Sequence, residues 1–141
     1  MDVTGSGRRP LVIYALIALF WFGVAMSLLT AFLLLFPATP LDVLWRIKPE
    51  AKGDLVVFGY AAVLLMLIVA IACAFAAVGV TSRAEWGRLT AMAILSANLF
   101  GDCINATLRN DLRTLIGLPI AGALIWYLVS ARGRRYFKTA R

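Results

Sequence analysis

The chain has 141 residues, of which 62% are hydrophobic and only 15% are charged, whereas a soluble globular domain is about 45–50% apolar and about 25% charged. This composition excludes an ordinary water-soluble fold. Lys and Arg outnumber Asp and Glu by 14 to 7, and the chain has no histidine, which excludes Ser-His and Cys-His catalysis, histidine-bound zinc and histidine-ligated haem.

The first predicted element is a membrane-spanning helix over residues 11–36. Leu11–Phe36 contains no charged residue. A helix of about 20 apolar residues crosses the ~30 Å hydrocarbon core of a bilayer. The apolar run is also much longer than the roughly 7–15 residues of a secretory signal peptide. We therefore expect a retained span.

A loop that contains a short interfacial helix is predicted next. The segment Thr39-Pro40-Leu41-Asp42 matches a capping box with proline at the first helical position. Leu41, Leu44 and Trp45 follow at helical spacing. We expect an amphipathic helix of about two turns on the outer membrane surface, with Trp45 as its anchor. An irregular loop is the alternative.

Two further spans are predicted over residues 55–80 and 86–108, and they differ in polarity. The first of them is free of charge and rich in alanine, whereas the other holds Arg88 near one end and Asp102 near the other. The segment Ser82-Arg83-Ala84-Glu85 predicts a second capping box, which would start the third span.

The fourth predicted span covers residues 112–131, and a basic tail follows at 132–141. Pro119 removes one backbone hydrogen bond and predicts a kink about one turn earlier in this helix. Trp86 and Trp126 are predicted to anchor the spans at the membrane interface, where indole rings are enriched.

The basic residues distinguish a three-span from a four-span topology. Arg8 and Arg9 precede the first span, and the tail at 132–141 carries most of the other terminal charges. Cytoplasmic flanks of membrane helices are rich in Lys and Arg. Four spans put both termini in the cytoplasm, so we predict an all-α integral membrane bundle of four transmembrane helices, in one domain over 1–141, with a short outer interfacial helix.

Polar side chains recur on one face of the third predicted span. They follow at i, i+4, i+7 and i+11, which places them on one side of a helix as a polar ridge: Asn98, Asp102, Asn105 and Arg109. One interpretation is a clasp in which Asp102 pairs with Arg109 or Arg113. A second is an outward-facing pocket or half-channel in which Asp102 binds a cation or proton, and a third leaves Asp102 among lipid headgroups.

Small side chains are expected in the bundle interior. Ala93, Ala97 and Gly101 recur every four residues on the third span, as is typical of closely packed membrane helices; a homodimer face is the alternative. Cys73 and Cys103 fall on different helices. We expect both to be ordinary buried side chains rather than a disulfide or metal site.

Three short blocks resemble those of small uncharacterised bacterial four-span integral membrane proteins: Leu44–Pro49, Gly101–Ala106 and Arg113–Ile120. The resemblance covers the second two-thirds of the chain. It implies a bacterial inner membrane, and it brings no activity, cofactor or site residue with it.

The predicted function is non-enzymatic: an accessory or scaffolding subunit that packs against lipid and a larger membrane complex or further copies of itself. The alternative is a small oligomeric transporter or channel with a polar path along Asn98, Asp102 and Asn105. The sequence has no nucleotide-binding or nucleophile motif, so we expect no cofactor. The basic tail is explained by topology or by contact with anionic lipid, and nucleic acid is not needed.

Overall fold

The computed structural model describes residues 9–37, 39–47, 49–109 and 117–138, and within these ranges every regular element is a helix. The elements in chain order are α1 (Leu11–Leu35), a 3₁₀ helix (Pro40–Arg46), α2 (Pro49–Phe58), α3 (Tyr60–Thr81), α4 (Glu85–Arg109), α5 (Gly117–Val129) and α6 (Ala131–Lys138). The predicted all-α class is confirmed.

Three of these helices, α1, α3 and α4, are long and apolar enough to cross a membrane. α1 and α4 begin and end within one residue of the predicted 11–36 and 86–108 spans. α5 is apolar but has only 13 residues in the described part of the chain. Residues 112–116 of the predicted fourth span, where the kink ahead of Pro119 is expected, lie outside the described ranges.

The predicted second span is interrupted at Gly59. This residue has φ 52° and ψ −128°, a conformation that L side chains rarely adopt. α2 therefore ends at Phe58 and α3 begins at Tyr60. The expectation of one helix over 55–80 is wrong at its start, because glycine permits a backbone break that the apolar pattern does not reveal.

The loop before α2 contains a short helix, as predicted, which is a 3₁₀ helix over Pro40–Arg46; its place at a membrane surface stays a prediction. Pro40 occupies its first turn, as expected, but Thr39 makes no side-chain capping hydrogen bond. Trp45 is half-buried on this helix. The side chain of Asp42, the other half of the predicted capping box, lies outside the described residues.

The turn between α3 and α4 is a Schellman motif. Arg83 has φ 55°, and its N–H donates to the carbonyl oxygen of Val80 (3.2 Å). The N–H of Ala84 reaches back to the carbonyl oxygen of Gly79 (3.0 Å). These two bonds satisfy carbonyl groups that the end of a helix leaves without intrahelical donors.

The predicted capping box at Ser82–Glu85 is wrong. The hydroxyl of Ser82 donates to the carbonyl oxygen of Val78 (2.8 Å), so this residue closes α3 rather than opening α4. α4 begins at Glu85 itself. A serine at a helix end satisfies either the preceding carbonyl or the following amide, and the short motif does not distinguish the two.

A single apolar cluster joins α1, α3, α4, α5 and α6. Its buried members are Ile13, Leu16, Phe20, Cys73, Ala76, Ala77, Val80, Ala91, Leu95, Leu128 and Phe137. The backbones of α3 and α4 approach most tightly at Gly79 and Gly87, where a Cβ built on Gly87 would lie 2.2 Å from the carbonyl carbon of Gly79. Small side chains on α3 thus fill the interior, as predicted.

The small residues of α4 are not in the interior. Ala93 and Ala97 are exposed, and a Cβ added at Gly101 would meet nothing within 4 Å. α4 packs instead through Ala91 and Leu95, which are buried. Ala93 follows Ala91 by two residues, about 200° around the helix, so the two stripes face in different directions. The prediction of an interior stripe on this helix is therefore wrong.

The start of α1 and the end of α5 lie at the same end of the bundle. Val12 lines one cavity together with Tyr127, Ser130 and Arg132. Phe137 of α6 belongs to the apolar cluster that contains Ile13 and Val80. The first helix therefore begins, and the last helix ends, beside the α3–α4 turn.

α5 runs antiparallel to α4 along most of its length. At one end, Arg88 Nη1 donates to the carbonyl oxygen of Leu128 (3.3 Å). At the other, a Cβ on Gly117 would lie 3.4 Å from Asp102 Oδ2. From Arg88 to Asp102 the axis of α4 advances by roughly 21 Å at 1.5 Å per residue. α5 returns over the same depth.

Candidate functional site

The polar ridge lies on α4, and the structure describes two of its side chains. Asn98 is exposed, and Asp102 is half-buried beside Gly117 at the start of α5. The other predicted site side chains lie outside the described residues: Asn105, Arg109 and Arg113. The structure therefore brings Asp102 to α5, while its pairing with Arg109 or Arg113 stays a prediction.

The ridge continues the face through which α4 packs. Gly87, Ala91 and Leu95 are buried and lie on the same side of the helix as Asn98 and Asp102, because their positions differ by about one turn each. After Leu95, no described residue of α4 is buried. The described residues of this face are apolar and buried up to Leu95, whereas beyond it the face is exposed at Asn98 and half-buried against α5 at Asp102; we call the part of α4 after Leu95 its uncovered half.

The opposite end of α4 carries a largely enclosed cation that the sequence did not single out as a site residue. Only 12% of the Arg88 side chain is exposed, and its Nη2 lies 2.8 Å from Glu85 Oε1. Its Nη1 donates to the Leu128 carbonyl, and Arg134 Nε donates to the carbonyl of Val129 (3.0 Å). The last carbonyls of a helix carry partial negative charge, so these two arginines stabilise the end of α5.

The predicted basic tail is a helix over its described part. Gly133 and Phe137, four residues apart, are buried, while the cations of α6 are exposed: Arg132, Arg134, Arg135 and Lys138. A Cβ on Gly133 would lie 2.3 Å from the Tyr127 carbonyl oxygen, so only glycine permits this helix to fold back onto α5. The spacing of Gly133 and Phe137, four residues apart, indicates a packed helix face, but the surrounding charged residues hide this pattern in the sequence.

α6 faces the α3–α4 turn across a groove. The groove has a volume of about 710 Å³ and is lined by the 82–86 segment together with Phe137 and Lys138. On its α6 side, the Arg83 guanidinium carbon lies 4.9 Å from the centroid of the Tyr136 ring, a cation–π contact. We call this groove, with the exposed cations of α6, the basic end.

The three predicted interfacial tryptophans lie in different surroundings. Trp86 is partly exposed at the start of α4 and packs edge-on against Phe75, with ring centroids 5.9 Å apart. Trp126 is 78% exposed on α5, and Trp45 is half-buried on the 3₁₀ helix. Trp86 and Trp126 lie toward the basic end and Trp45 toward the other end. Their anchoring role stays a prediction.

Neither cysteine is paired within the described residues. Cys73 is buried, as expected, and its sulfur lies beside Gly23 of α1, whereas Cys103 is exposed, which corrects the expectation that both are buried. Cys103 falls in the uncovered half of α4. The described acidic and cysteine side chains form no cluster of three or more that is suited to holding a metal ion.

No family model matches the chain, and neither a curated protein nor a solved structure is significantly similar to it.

Proposed function

We propose that this chain is a non-enzymatic accessory or scaffolding subunit of a bacterial inner membrane, which packs the uncovered half of α4 against a helix of a larger membrane complex. In this proposal the chain crosses the bilayer four times, and both termini lie in the cytoplasm. The 3₁₀ helix rests at the outer surface.

The antiparallel contact of α4 and α5 supports the four-span topology. If α4 crosses the bilayer, α5 recrosses most of the same depth, because Leu128 lies level with Arg88 and Gly117 level with Asp102. The cations of α6 and of the α3–α4 turn share one side, as expected for a cytoplasmic face.

The exposure of Asn98 is the main support for the proposed packing of α4 against another membrane protein. Asn98 is exposed on a helix of membrane length, about 20 Å along the axis from Glu85. At that depth a bare carboxamide would meet hydrocarbon, and an amide without a hydrogen-bond partner costs several kcal/mol there. A polar group from another helix removes this cost, whereas lipid tails do not.

The surroundings of Asn98 also favour a helix as the covering group. Ala97 is exposed and Gly101 borders open space, so a neighbouring backbone can approach closely. Close approach between membrane helices is promoted by such small residues, and hydrogen bonds from asparagine add roughly 0.6–2 kcal/mol.

Co-purification with matched alanine variants tests the proposal. The tagged chain is purified from native membranes in mild detergent, and we expect a second membrane protein at fixed stoichiometry. Ala97→Phe should release that protein, because the ring blocks close approach. Ala18→Phe makes the same change at an exposed alanine of α1 and should retain it. Equal recovery with both variants would contradict the proposal.

An oligomeric transporter or channel is the second candidate. Asn98 and Asp102 are one turn apart on the same face, and Gly117 leaves space beside the Asp102 carboxylate. Four spans in 141 residues leave little room for a private conduction path, so further copies must complete it. This function predicts that Asp102→Asn abolishes an ion flux in proteoliposomes while the protein still folds. It also predicts self-association without a second protein.

A further inference from the structure

The groove at the basic end has an unbalanced positive charge. Arg83 and Lys138 line it from opposite sides, and the acidic side chain in its wall is Glu85. The Glu85 carboxylate is engaged by Arg88 at 2.8 Å, so its charge is already matched by a cation outside the groove lining. The two lining cations therefore remain to attract an anion.

Arg83 is held in place by its backbone and by one face of its guanidinium group. Its guanidinium lies against the face of the Tyr136 ring, and its backbone is held in the Schellman turn. Arg83 also lines the groove. Guanidinium groups bind phosphate oxygens through paired N–H donors, and a lysine ammonium adds a point charge.

The groove also has an apolar wall. Phe137 is buried beneath it, and Trp86 is partly exposed at its edge. Trp86 stands at the start of α4, and Phe137 of α6 lines the same groove, at the level at which apolar helices give way to a basic surface. Indole rings favour this boundary between hydrocarbon and headgroups.

We propose that this groove binds the phosphate headgroup of an anionic phospholipid of the cytoplasmic leaflet. Arg83 and Lys138 contact the phosphate, and the partly exposed ring of Trp86 contacts the glycerol and the first methylene groups. The exposed cations of α6 attract further anionic lipid around the bound one. The proposal rests on the four-span topology but not on a partner at α4.

Native mass spectrometry of the full chain tests this assignment. The protein is held in detergent with equimolar phosphatidylglycerol and phosphatidylcholine. Each basic residue near an anionic surface contributes roughly fivefold in affinity, so we expect phosphatidylglycerol adducts to dominate by about tenfold or more. The double variant Arg83→Gln/Lys138→Gln should lose most of this preference.

The control removes two charges at the other end of the bundle. Arg46→Gln/Lys52→Gln lowers the net charge equally and should keep the preference for phosphatidylglycerol. Equal retention of the two lipids by the unaltered protein, or equal loss in both double variants, would overturn the proposal.

A single variant keeps the test decisive if the Arg83 change disrupts the turn. Lys138 is exposed on α6, so Lys138→Gln should fold and should lower the preference by roughly fivefold. An unchanged preference in that variant refutes the headgroup site. Because adducts are read in detergent, this outcome is separate from any failure of the topology or of the α4 interface.

Discussion

At Gly87 the backbones of α3 and α4 are so close that a methyl group has no space. The nearest atoms to an added Cβ belong to the Gly79 backbone, which cannot rotate away as a side chain would. We expect Gly87→Ala to destabilise the protein by about 1–3 kcal/mol, the range of overpacking, or to prevent folding. Thermal unfolding in detergent micelles measures the loss.

Gly101→Ala is the matched control on the same helix. Its added methyl group meets nothing within 4 Å, and alanine favours a helix over glycine by roughly 0.5–1 kcal/mol. This variant should melt at the same temperature as the unaltered protein or higher. If both variants melt alike, the close approach of α3 and α4 is refuted.

Arg88 and Glu85 form one ion pair, but their expected contributions differ because their burial differs. Arg88 is nearly enclosed and also donates to the end of α5, whereas 51% of the Glu85 side chain is exposed. We expect Arg88→Met to cost about 1.5–3 kcal/mol, as for a hydrogen bond from a charged group, and Glu85→Gln about 0–1 kcal/mol. Unfolding curves of the two variants in detergent compare these losses. Equal losses would contradict the stabilisation of the end of α5 by Arg88.

At the scale of the helices, Gly59 separates α2 from α3. Its φ of 52° with ψ of −128° is accessible to glycine and strained for other residues. Gly59→Ala is expected to cost about 1–3 kcal/mol, or to join α2 and α3 into one longer helix. Gly53→Ala, inside α2 and free of contacts, should be neutral or stabilising. Thermal unfolding, with helicity followed by circular dichroism, separates the two variants.

The sequence predicts correctly the helices that begin and end where a long apolar run begins and ends. The long apolar run of α1 identifies that helix almost to the residue, because an uncharged stretch of that length has few alternatives. α4 also matches its predicted range, although it carries Arg88 and Asp102. The sequence did not reveal the break at Gly59 or the hydrogen bond from the Ser82 hydroxyl to the preceding turn of α3. A glycine permits such a break and a serine permits such a bond, but neither residue requires it.

The face of α4 shows the same limit for the candidate site. Periodicity correctly groups Asn98 with Asp102, but it does not tell which stripe the rest of the bundle covers. The small residues Ala93 and Ala97 were expected inside, and they are exposed because Gly87, Ala91 and Leu95 provide the tighter seam. Which of the two stripes is buried depends on how closely α3 approaches α4, and this distance is set by tertiary packing.

At the scale of the whole molecule, charge and packing are segregated along the bundle. The end that holds α6 and the α3–α4 turn is well packed and basic, through Phe137, Leu128 and Arg88. Toward the other end, no described residue of α4 after Leu95 is buried, and the helix presents Asn98 and small residues beside exposed apolar side chains such as Phe100. The proposed accessory subunit would use these two ends differently, one as its anchor in lipid and the other as its contact with a second protein.

The four-span topology predicts which face of the membrane each end of the bundle occupies. With Cys73→Ala and Cys103→Ser as background, single Ser82→Cys, Lys138→Cys and Gly53→Cys variants are treated in intact cells with a membrane-impermeant maleimide that has passed the outer envelope. Gly53→Cys should be labelled, because α2 precedes α3 at the outer end. The other two should be protected until the membrane is opened, because the α3–α4 turn and α6 share the basic end, which the proposed topology puts in the cytoplasm. Labelling of Lys138→Cys with protection of Ser82→Cys would mean that α5 does not recross the bilayer, and the shared basic face would then be excluded.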